Sequence, residues 1–148
     1  MVTIYNQQSD LKLQDSKVEA LVQAILEPYE VDDVIIHFVD LARICQLHGE
    51  YFDDPSPTDC ITFPIDSPGP DCQVLGEVFV CPHTAITYAK EHSLDPYSEC
   101  TLYIVHGLLH LLGFDDIDEA DQLKMRAMEK QSMTYLEQLH LILTPPEC

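Results

Sequence analysis

Two histidines four residues apart, His106 and His110, have the types and spacing that most clearly indicate chemistry in this sequence. They lie in an apolar run that is predicted to be helical, where residues four apart face the same side. Their two imidazole nitrogens can therefore reach one metal ion, as in the helical motif of zinc hydrolases. A helix that is apolar nearly all round also buries both rings, and buried imidazoles need polar partners.

A third metal ligand is predicted just beyond this helix. Gly113 readily takes the left-handed conformation that ends a helix, after which the chain turns back toward the helix face. Asp116 is then placed to supply a carboxylate oxygen, with Asp115 as its rival. Three protein ligands leave the fourth position of a tetrahedral zinc ion open, which is typical of catalytic sites. We therefore expect one zinc ion per chain, at the end of this helix.

The residue after the first histidine argues against a peptidase. Zinc peptidases with the motif H-E-x-x-H carry a glutamate at that position, where it acts as the general base. Position 107 of this sequence is a glycine. Peptide hydrolysis by that mechanism is therefore not expected.

The elements that position these residues can be predicted from hydrophobic periodicity and from turn residues. Short runs of β-branched or aromatic residues indicate four strands, at 2–5, 34–39, 58–63 and 74–80. Helical spacing indicates five helices, at 17–27, 40–47, 82–92, 96–112 and 118–141.

Individual residues mark where these elements begin and end. Ser16 followed by Glu19 predicts a capping box at the start of the first helix. Prolines suit the first position of the third and fourth helices, and Asp118 can cap the last one. The composition of residues 50–57 predicts a loop, and that of residues 67–71 predicts a turn.

Length and composition fit one domain of mixed structure. The chain has 148 residues, 46% of them hydrophobic, which is enough to bury a core. We expect an α+β (α/β) fold in which residues 1–148 form a single metal-binding domain. No run reaches the roughly 18 apolar residues that span a bilayer, and the first residues lack a signal-peptide pattern. Six cysteines without a C-x-x-C pair are typical of reduced thiols, so a cytoplasmic protein is expected.

The charge of the chain opposes non-specific binding to a polyanion. It carries 26 acidic and 7 basic residues, a formal net charge of −19. Proteins gain affinity for phosphate backbones by neutralising them with lysine and arginine. Lys124, Arg126 and Lys130 fall together in the last predicted helix. They either form a local basic edge or pair with neighbouring acids such as Glu129.

The metal segment and two of the strands resemble a known family. Positions 106–115 match the signature H-G-x-L-H-L-x-G-[YF]-D-H throughout, and Asp116 stands where that family usually has a histidine. Residues 57–64 resemble its P-T-D-V-L-S-F-P strand, and residues 75–82 resemble its G-D-I-x-I-S strand. The family is the YbeY family of rRNA maturation factors, zinc-dependent endoribonucleases specific for single strands. The resemblance extends over about residues 30–135.

This resemblance implies a small α/β domain with a mixed sheet of about four strands, about five helices, and a zinc ion held by three signature residues. The implied substrate is rRNA or other single-stranded RNA, cut in maturation of the 3′ end of small-subunit rRNA and in ribosome quality control. The implied partners are the small ribosomal subunit or its proteins, with no role for DNA or a membrane. Zinc would either polarise the scissile phosphoryl oxygen or make a water more acidic.

The sequence departs from the family at three positions. Upstream of the P-T-D strand the family usually carries L-N-x-x-Y-R, whereas His48 replaces the Asn here and Phe52 replaces the Arg. The cation that is thought to handle the substrate is therefore missing from its usual place. Asp116 remains a good zinc ligand. A carboxylate should nevertheless make the ion a weaker Lewis acid than a third imidazole would.

Further site residues are proposed only by their motif positions. Asp115 and Asp59 are candidates for the general base, although support of a ligand or capping of a turn explains them equally well. Thr58, Lys124 and Arg126 are candidates for substrate binding.

Three functions follow from these observations. The first is a zinc-dependent endoribonuclease of rRNA maturation. The second is a ribosome-assembly or binding factor whose zinc is structural and whose nuclease activity is weak or absent, which the net charge and the missing arginine favour. The third is a metal hydrolase acting on another substrate.

Overall fold

The computed structural model describes residues 1–29, 33–64 and 74–146, so the turn predicted at 67–71 lies outside the described residues. The elements follow one another as β1 (Val2–Gln7), α1 (Asp15–Leu26), β2 (Asp33–Val39), α2 (Leu41–Phe52), β3 (Cys60–Pro64), β4 (Val74–Val80), α3 (Pro82–His92), α4 (Pro96–Leu111) and α5 (Glu119–Gln138). Within those ranges, no helix combines the length and the apolar character that crossing a bilayer requires.

The four strands form one mixed sheet in the order β1-β2-β4-β3. β1 and β4 each pair in parallel with β2, and β3 pairs antiparallel with β4 at the edge of the sheet. Alternate residues of β2, Val34, Ile36 and Phe38, are buried in the main core. In the part of the chain that the structure describes, the expected single domain with a four-stranded mixed sheet and five helices is confirmed.

Helix α4 lies at the centre of the core and in contact with the sheet. It packs against α1, α3, α5, β3 and β4. It approaches the sheet closely at Gly107, where a Cβ atom would lie 2.5 Å from Cγ1 of Val78. Only a residue without a side chain fits at that distance, so Gly107 lets α4 rest directly on β4.

The starts predicted for the last three helices are confirmed. Pro82 and Pro96 lie in the first turns of α3 and α4, where a missing backbone N–H costs nothing. The Asp118 carboxylate accepts a hydrogen bond from the backbone N–H of Asp121 at 2.8 Å, which caps α5. α5 ends at 138 rather than near 141 because His140 adopts a left-handed backbone conformation with φ of 58°.

The capping box predicted for the first helix is wrong. α1 begins at Asp15, one residue before the predicted cap Ser16, and Gln14 is its N-cap without a side-chain hydrogen bond. The backbone N–H of Val18 already donates to the Gln14 carbonyl at 3.1 Å. Ser16 therefore lies within the helix, where its hydroxyl cannot cap the first turn.

Helix α2 is longer than predicted, because residues 50–52, expected in a loop, form its last turn. It begins at an Asp40 cap that accepts the backbone N–H of Arg43 at 2.8 Å. It ends where Asp53 adopts a left-handed conformation and its N–H bonds the His48 carbonyl. The residues after the end of α2 give the segment 50–57 its loop-like composition. Averaging the composition over that segment concealed where the helix ends.

Candidate metal centre

The end of α4 is built to turn the chain back toward the helix. The backbone N–H of Phe114 donates to the Leu109 carbonyl at 3.0 Å, and that of Gly113 donates to the His110 carbonyl at 3.1 Å. This pair of bonds is the Schellman ending of a helix, which needs a left-handed residue. Gly113 supplies it with φ of 105°, as predicted. The residues that follow are thereby directed toward the two histidines.

One nitrogen or oxygen atom from each of His106, His110 and Asp116 lies within 4.8 Å of the others. The two Nε2 atoms are 3.0 Å apart. Oδ2 of Asp116 is 3.7 Å from Nε2 of His106 and 3.6 Å from Nε2 of His110. The structure therefore brings together the three residues that were predicted as metal ligands. Each is partly exposed, so the cluster is open to solvent on one side.

Glu129 of α5 contacts this cluster from behind. Its Oε1 lies 3.4 Å from Nδ1 of His106, the ring nitrogen that faces away from the convergence point. This hydrogen bond is the main reason why the pKa of His106 is raised. Burial of the ring lowers this pKa, and the charges of Glu129, Asp59 and Asp116 raise it further. Sequence reasoning missed this role, because a carboxylate 23 residues from its partner belongs to no local pattern.

A cavity of about 230 Å³ opens beside the two histidines. It is bounded by the end of α2, the segment around β3 and the last turns of α4. Its lining residues are His48, Phe52, Thr58, Cys60, Ile61, Thr62, His106 and His110. Thr58 thus lies where a substrate-binding role was predicted. Lys124 and Arg126, the other two substrate-binding candidates, do not line it.

The two carboxylates considered as general bases are engaged elsewhere. Asp115, also the rival third ligand, accepts the backbone N–H of Asp116 at 2.8 Å, so it holds the segment that carries the ligand. Asp59 accepts the backbone N–H of Cys60 at 2.7 Å and lies 3.3 Å from the Thr58 hydroxyl. Neither belongs to the convergent cluster. Their contacts match the alternatives of supporting a ligand and capping a turn.

The cations of α5 lie away from the cavity. Lys124 and Arg126 are exposed, and among the described residues neither they nor Lys130 forms an ion pair with a carboxylate. The pairing with Glu129 that the sequence suggested is not found, since Glu129 contacts His106. The positive charge of these side chains is therefore exposed to solvent and is not neutralised by an ion pair among the described residues.

Cys60 is a neutral thiol in the wall of the cavity. Burial raises its pKa well above the ordinary value, and the charges of Asp59, Asp116 and Glu129 raise it further. It is one of the four cysteines of the described ranges, all of them free thiols as expected. A thiol with a raised pKa is a poor nucleophile at neutral pH, and Cys60 lies outside the convergent group of His106, His110 and Asp116.

Comparisons of the whole sequence with known proteins match one family. A sequence model of the family described as Endoribonuclease YbeY matches residues 3–137. Endoribonuclease YbeY of Protochlamydia amoebophila is 49% identical over 144 residues, covering 95% of this chain and 96% of the relative. The proteins of the same name from Chlamydia muridarum and Chlamydia caviae are 42% and 41% identical, each over 97% of this chain and over 92% and 95% of their own lengths.

The fold also matches a solved structure. The solution structure of TM1509 from Thermotoga maritima superposes with a TM-score of 0.61, covering 100% of this chain and 99% of that one. At 22% identity this likeness supports the fold alone. The family model spans most of the chain, and the relatives match nearly end to end. The chain therefore belongs to the YbeY endoribonuclease family.

Proposed function

We propose that this protein is a metal-dependent endoribonuclease that cuts single-stranded RNA in rRNA maturation, with one zinc ion held by His106, His110 and Asp116. The observation that carries the proposal is the convergence of these three side chains beside an open cavity. Membership of the YbeY family supplies the reaction class, since the relatives carry the name endoribonuclease. The whole of residues 1–148 acts as one metal-binding domain in this proposal.

The donor atoms suit a zinc ion in number, type and spacing. Tetrahedral zinc with bonds of about 2.0–2.1 Å places neighbouring donor atoms about 3.3–3.4 Å apart. The separations among the two Nε2 atoms and Oδ2 of Asp116 are 3.0, 3.6 and 3.7 Å. Two imidazoles and one carboxylate leave one position open, which is typical of catalytic zinc.

A bound zinc ion supplies a Lewis acid to the phosphodiester of the substrate. Residues of this chain orient the proposed metal ligands and form the wall of the cavity. Glu129 fixes the ring of His106 through its Nδ1, so that Nε2 remains the metal-facing atom. Asp115 holds the backbone of Asp116, and the Gly113 turn sets the direction from which that carboxylate arrives. The residues around β3, among them Thr58, form the opposite wall against which RNA lies.

The net charge of the protein bears on how it reaches its RNA. With a net charge of −19, this protein gains little affinity for RNA from phosphate neutralisation alone. We place it on the small ribosomal subunit in the cytoplasm, where ribosomal proteins provide docking contacts and the 3′ end of small-subunit rRNA lies within reach. The same docking serves ribosome quality control.

A second candidate function is favoured by the cavity lining. None of its eight lining residues is a lysine or an arginine, and Phe52 stands where the family usually carries Arg. A ribosome-assembly factor with a structural zinc and weak or absent nuclease activity would have no need of that cation. A hydrolase acting on peptides is disfavoured, because Val78 leaves no room for the glutamate that such an enzyme needs at position 107.

Cleavage of single-stranded RNA separates the two candidates. Purified protein of measured zinc content is incubated with an unstructured RNA, beside a His110→Ala variant prepared in the same way. Cleavage by the parent that is lost in the variant supports the endoribonuclease. Equal cleavage by both proteins would identify a contaminating nuclease, and zinc-loaded parent that leaves the RNA intact would favour the assembly factor.

A further inference from the structure

Two aromatic rings form one wall of the metal cavity. Phe52 is the last residue of α2, and His48 lies one turn before it on the same side of the helix. Their ring centroids are 5.7 Å apart with an interplanar angle of 52°. Both line the cavity that also contains His106 and His110. Phe52 is 55% exposed, so its ring is accessible to a ligand that enters the cavity.

The aromatic wall is held firmly by its own segment. Nδ1 of His48 donates to the Ser56 carbonyl at 2.8 Å, because a carbonyl oxygen can only accept. The His48 carbonyl in turn accepts the backbone N–H of Asp53, where α2 stops. The chain beyond the helix folds back, so that a Cβ on Gly49 would lie 3.6 Å from Pro55. The His48 ring and the backbone that carries Phe52 are therefore positioned before any ligand arrives.

The chemistry of the lining suits a nucleobase better than a phosphate. Among the residues that the structure describes, the lining contains no lysine or arginine, and the carboxylates near the site, Asp116, Glu129 and Asp59, are acidic. A phosphate would be repelled there unless the metal alone bound it. A nucleobase is uncharged, has a π-face that stacks on an aromatic ring, and has polar edges that hydroxyl groups can bond. Thr58 and Thr62 bring such hydroxyl-bearing side chains to the same cavity.

We propose that Phe52, supported by His48, is a stacking subsite for one nucleobase of single-stranded RNA, next to the bond that the metal centre cuts. This inference rests on the proposed function and deepens it, since it names how the substrate is held. Stacking replaces the charge contact that the family's arginine would make, and it suits a strongly acidic protein because it does not depend on phosphate neutralisation. The subsite recognises unpaired bases, which is a reason for preferring single strands.

Fluorescence of 2-aminopurine tests the subsite, because this base loses emission when it stacks on an aromatic ring. Short RNA oligonucleotides carrying 2-aminopurine at successive positions are mixed with zinc-loaded protein and read before cleavage, with intact RNA verified on a gel. We expect quenching at one position for the parent, little quenching for Phe52→Leu, and retained quenching for Phe52→Tyr. The affinity of Phe52→Leu should fall by roughly 5- to 150-fold, the range for one base stacked on an aromatic side chain.

Tyr51→Leu is the matched control. Tyr51 is the neighbouring residue and is 62% exposed, but its ring packs edge-on against Phe63 at 4.9 Å and does not line the cavity. Its removal should leave both quenching and affinity unchanged. Equal quenching in the parent and Phe52→Leu, or no quenching in the parent, would overturn the inference.

Salt dependence gives a second readout. Phe52→Arg restores the cation that is usual in the family. A plot of the logarithm of the RNA association constant against the logarithm of the salt concentration should therefore have a slope steeper by about 0.7 than that of the parent. An unchanged slope would show that position 52 does not face the RNA and would contradict the subsite. Quenching without cleavage would support the stacking subsite and contradict the proposed nuclease activity. Cleavage by a parent protein that shows no quenching would contradict the subsite and support the nuclease activity.

Discussion

Asp116 completes the proposed metal centre, and it is also where the chain leaves its family's usual sequence. Its Oδ2 lies within 3.7 Å of both histidine nitrogens. The three proposed ligands could be predicted because they lie within eleven consecutive residues, where helix periodicity and one glycine decide the geometry. Glu129 could not be predicted, because its contact with His106 depends on how α5 packs against α4.

Replacing Asp116 by histidine should change the acidity of the site. A neutral imidazole compensates less of the positive charge of the zinc ion than a carboxylate does. Zinc in the variant is therefore the stronger Lewis acid. We expect the apparent pKa in the pH–rate profile of RNA cleavage to be lower for Asp116→His than for the parent. An unchanged or higher apparent pKa would contradict this assignment.

Glu129→Gln should weaken zinc binding, because the carboxylate that orients His106 and raises its basicity is replaced by a neutral amide. Losses of about 10- to 100-fold in metal affinity are typical for such groups. Competition with a chromophoric chelator at neutral pH measures the change. Glu137→Gln, an exposed acid on the same helix, is the control and should bind zinc like the parent. Equal affinity in both variants would show that Glu129 does not act on the metal centre.

At the scale of elements, the contact of α4 with β4 decides where the two histidines lie. Gly107 allows this contact, and the signature indicated a glycine there without indicating why. The sequence also predicted where α3, α4 and α5 begin, since each start depends on one or two neighbouring residues. It misplaced the start of α1 and the end of α2, because backbone hydrogen bonds at Gln14 and a left-handed Asp53 decided those ends.

Gly107→Ala should destabilise the protein by forcing α4 away from the sheet. A methyl group at this position would lie 2.5 Å from Cγ1 of Val78, and such overpacking costs about 1–3 kcal/mol. Thermal unfolding of the variant should begin at lower temperature than that of the parent. In a double mutant with Val78→Ala the added methyl has room, so the combined loss should be smaller than the sum of the two single losses. Strict additivity would show that the two residues do not meet.

At the scale of the whole molecule, the number and type of the strands and helices could be predicted, but their arrangement in space could not. Four strands and five helices follow from hydrophobic periodicity. The order β1-β2-β4-β3 joins segments far apart in the chain, and no local pattern of residues records it. The cavity could not be predicted for the same reason, because its lining residues come from α2 and the segment around β3, and from α4, which lies far from them in the chain. The sequence showed that His48 and Phe52 depart from the family motif. It did not show that their rings line the same cavity.

Stability should fall in alkaline solution. Burial raises the pKa of Cys100 from 9.0 to about 12, so above pH 9 the unfolded chain ionises this thiol while the folded chain keeps it neutral. The free energy of unfolding should therefore decrease between pH 9 and 12, by up to about 1.4 kcal/mol per pH unit from this group. The raised pKa values of Tyr97 and Tyr103 act in the same direction.

Urea unfolding midpoints measured from pH 7 to pH 11 check this expectation. Cys100→Ala should start from a lower midpoint, because it leaves a small cavity in the core, but its midpoint should fall less steeply above pH 9. Parallel curves for the parent and Cys100→Ala would show that this thiol does not contribute.

Zinc titration of metal-free protein tests the central claim most directly. Aliquots of zinc are added to protein stripped with a chelator, and cleavage of single-stranded RNA is followed after each addition. We expect cleavage to rise in proportion to zinc and to level off at one equivalent per chain, with no rise for His110→Ala. Full cleavage by the metal-free protein, or an equal rise in His110→Ala, would contradict a nuclease whose single zinc ion is held by His106, His110 and Asp116.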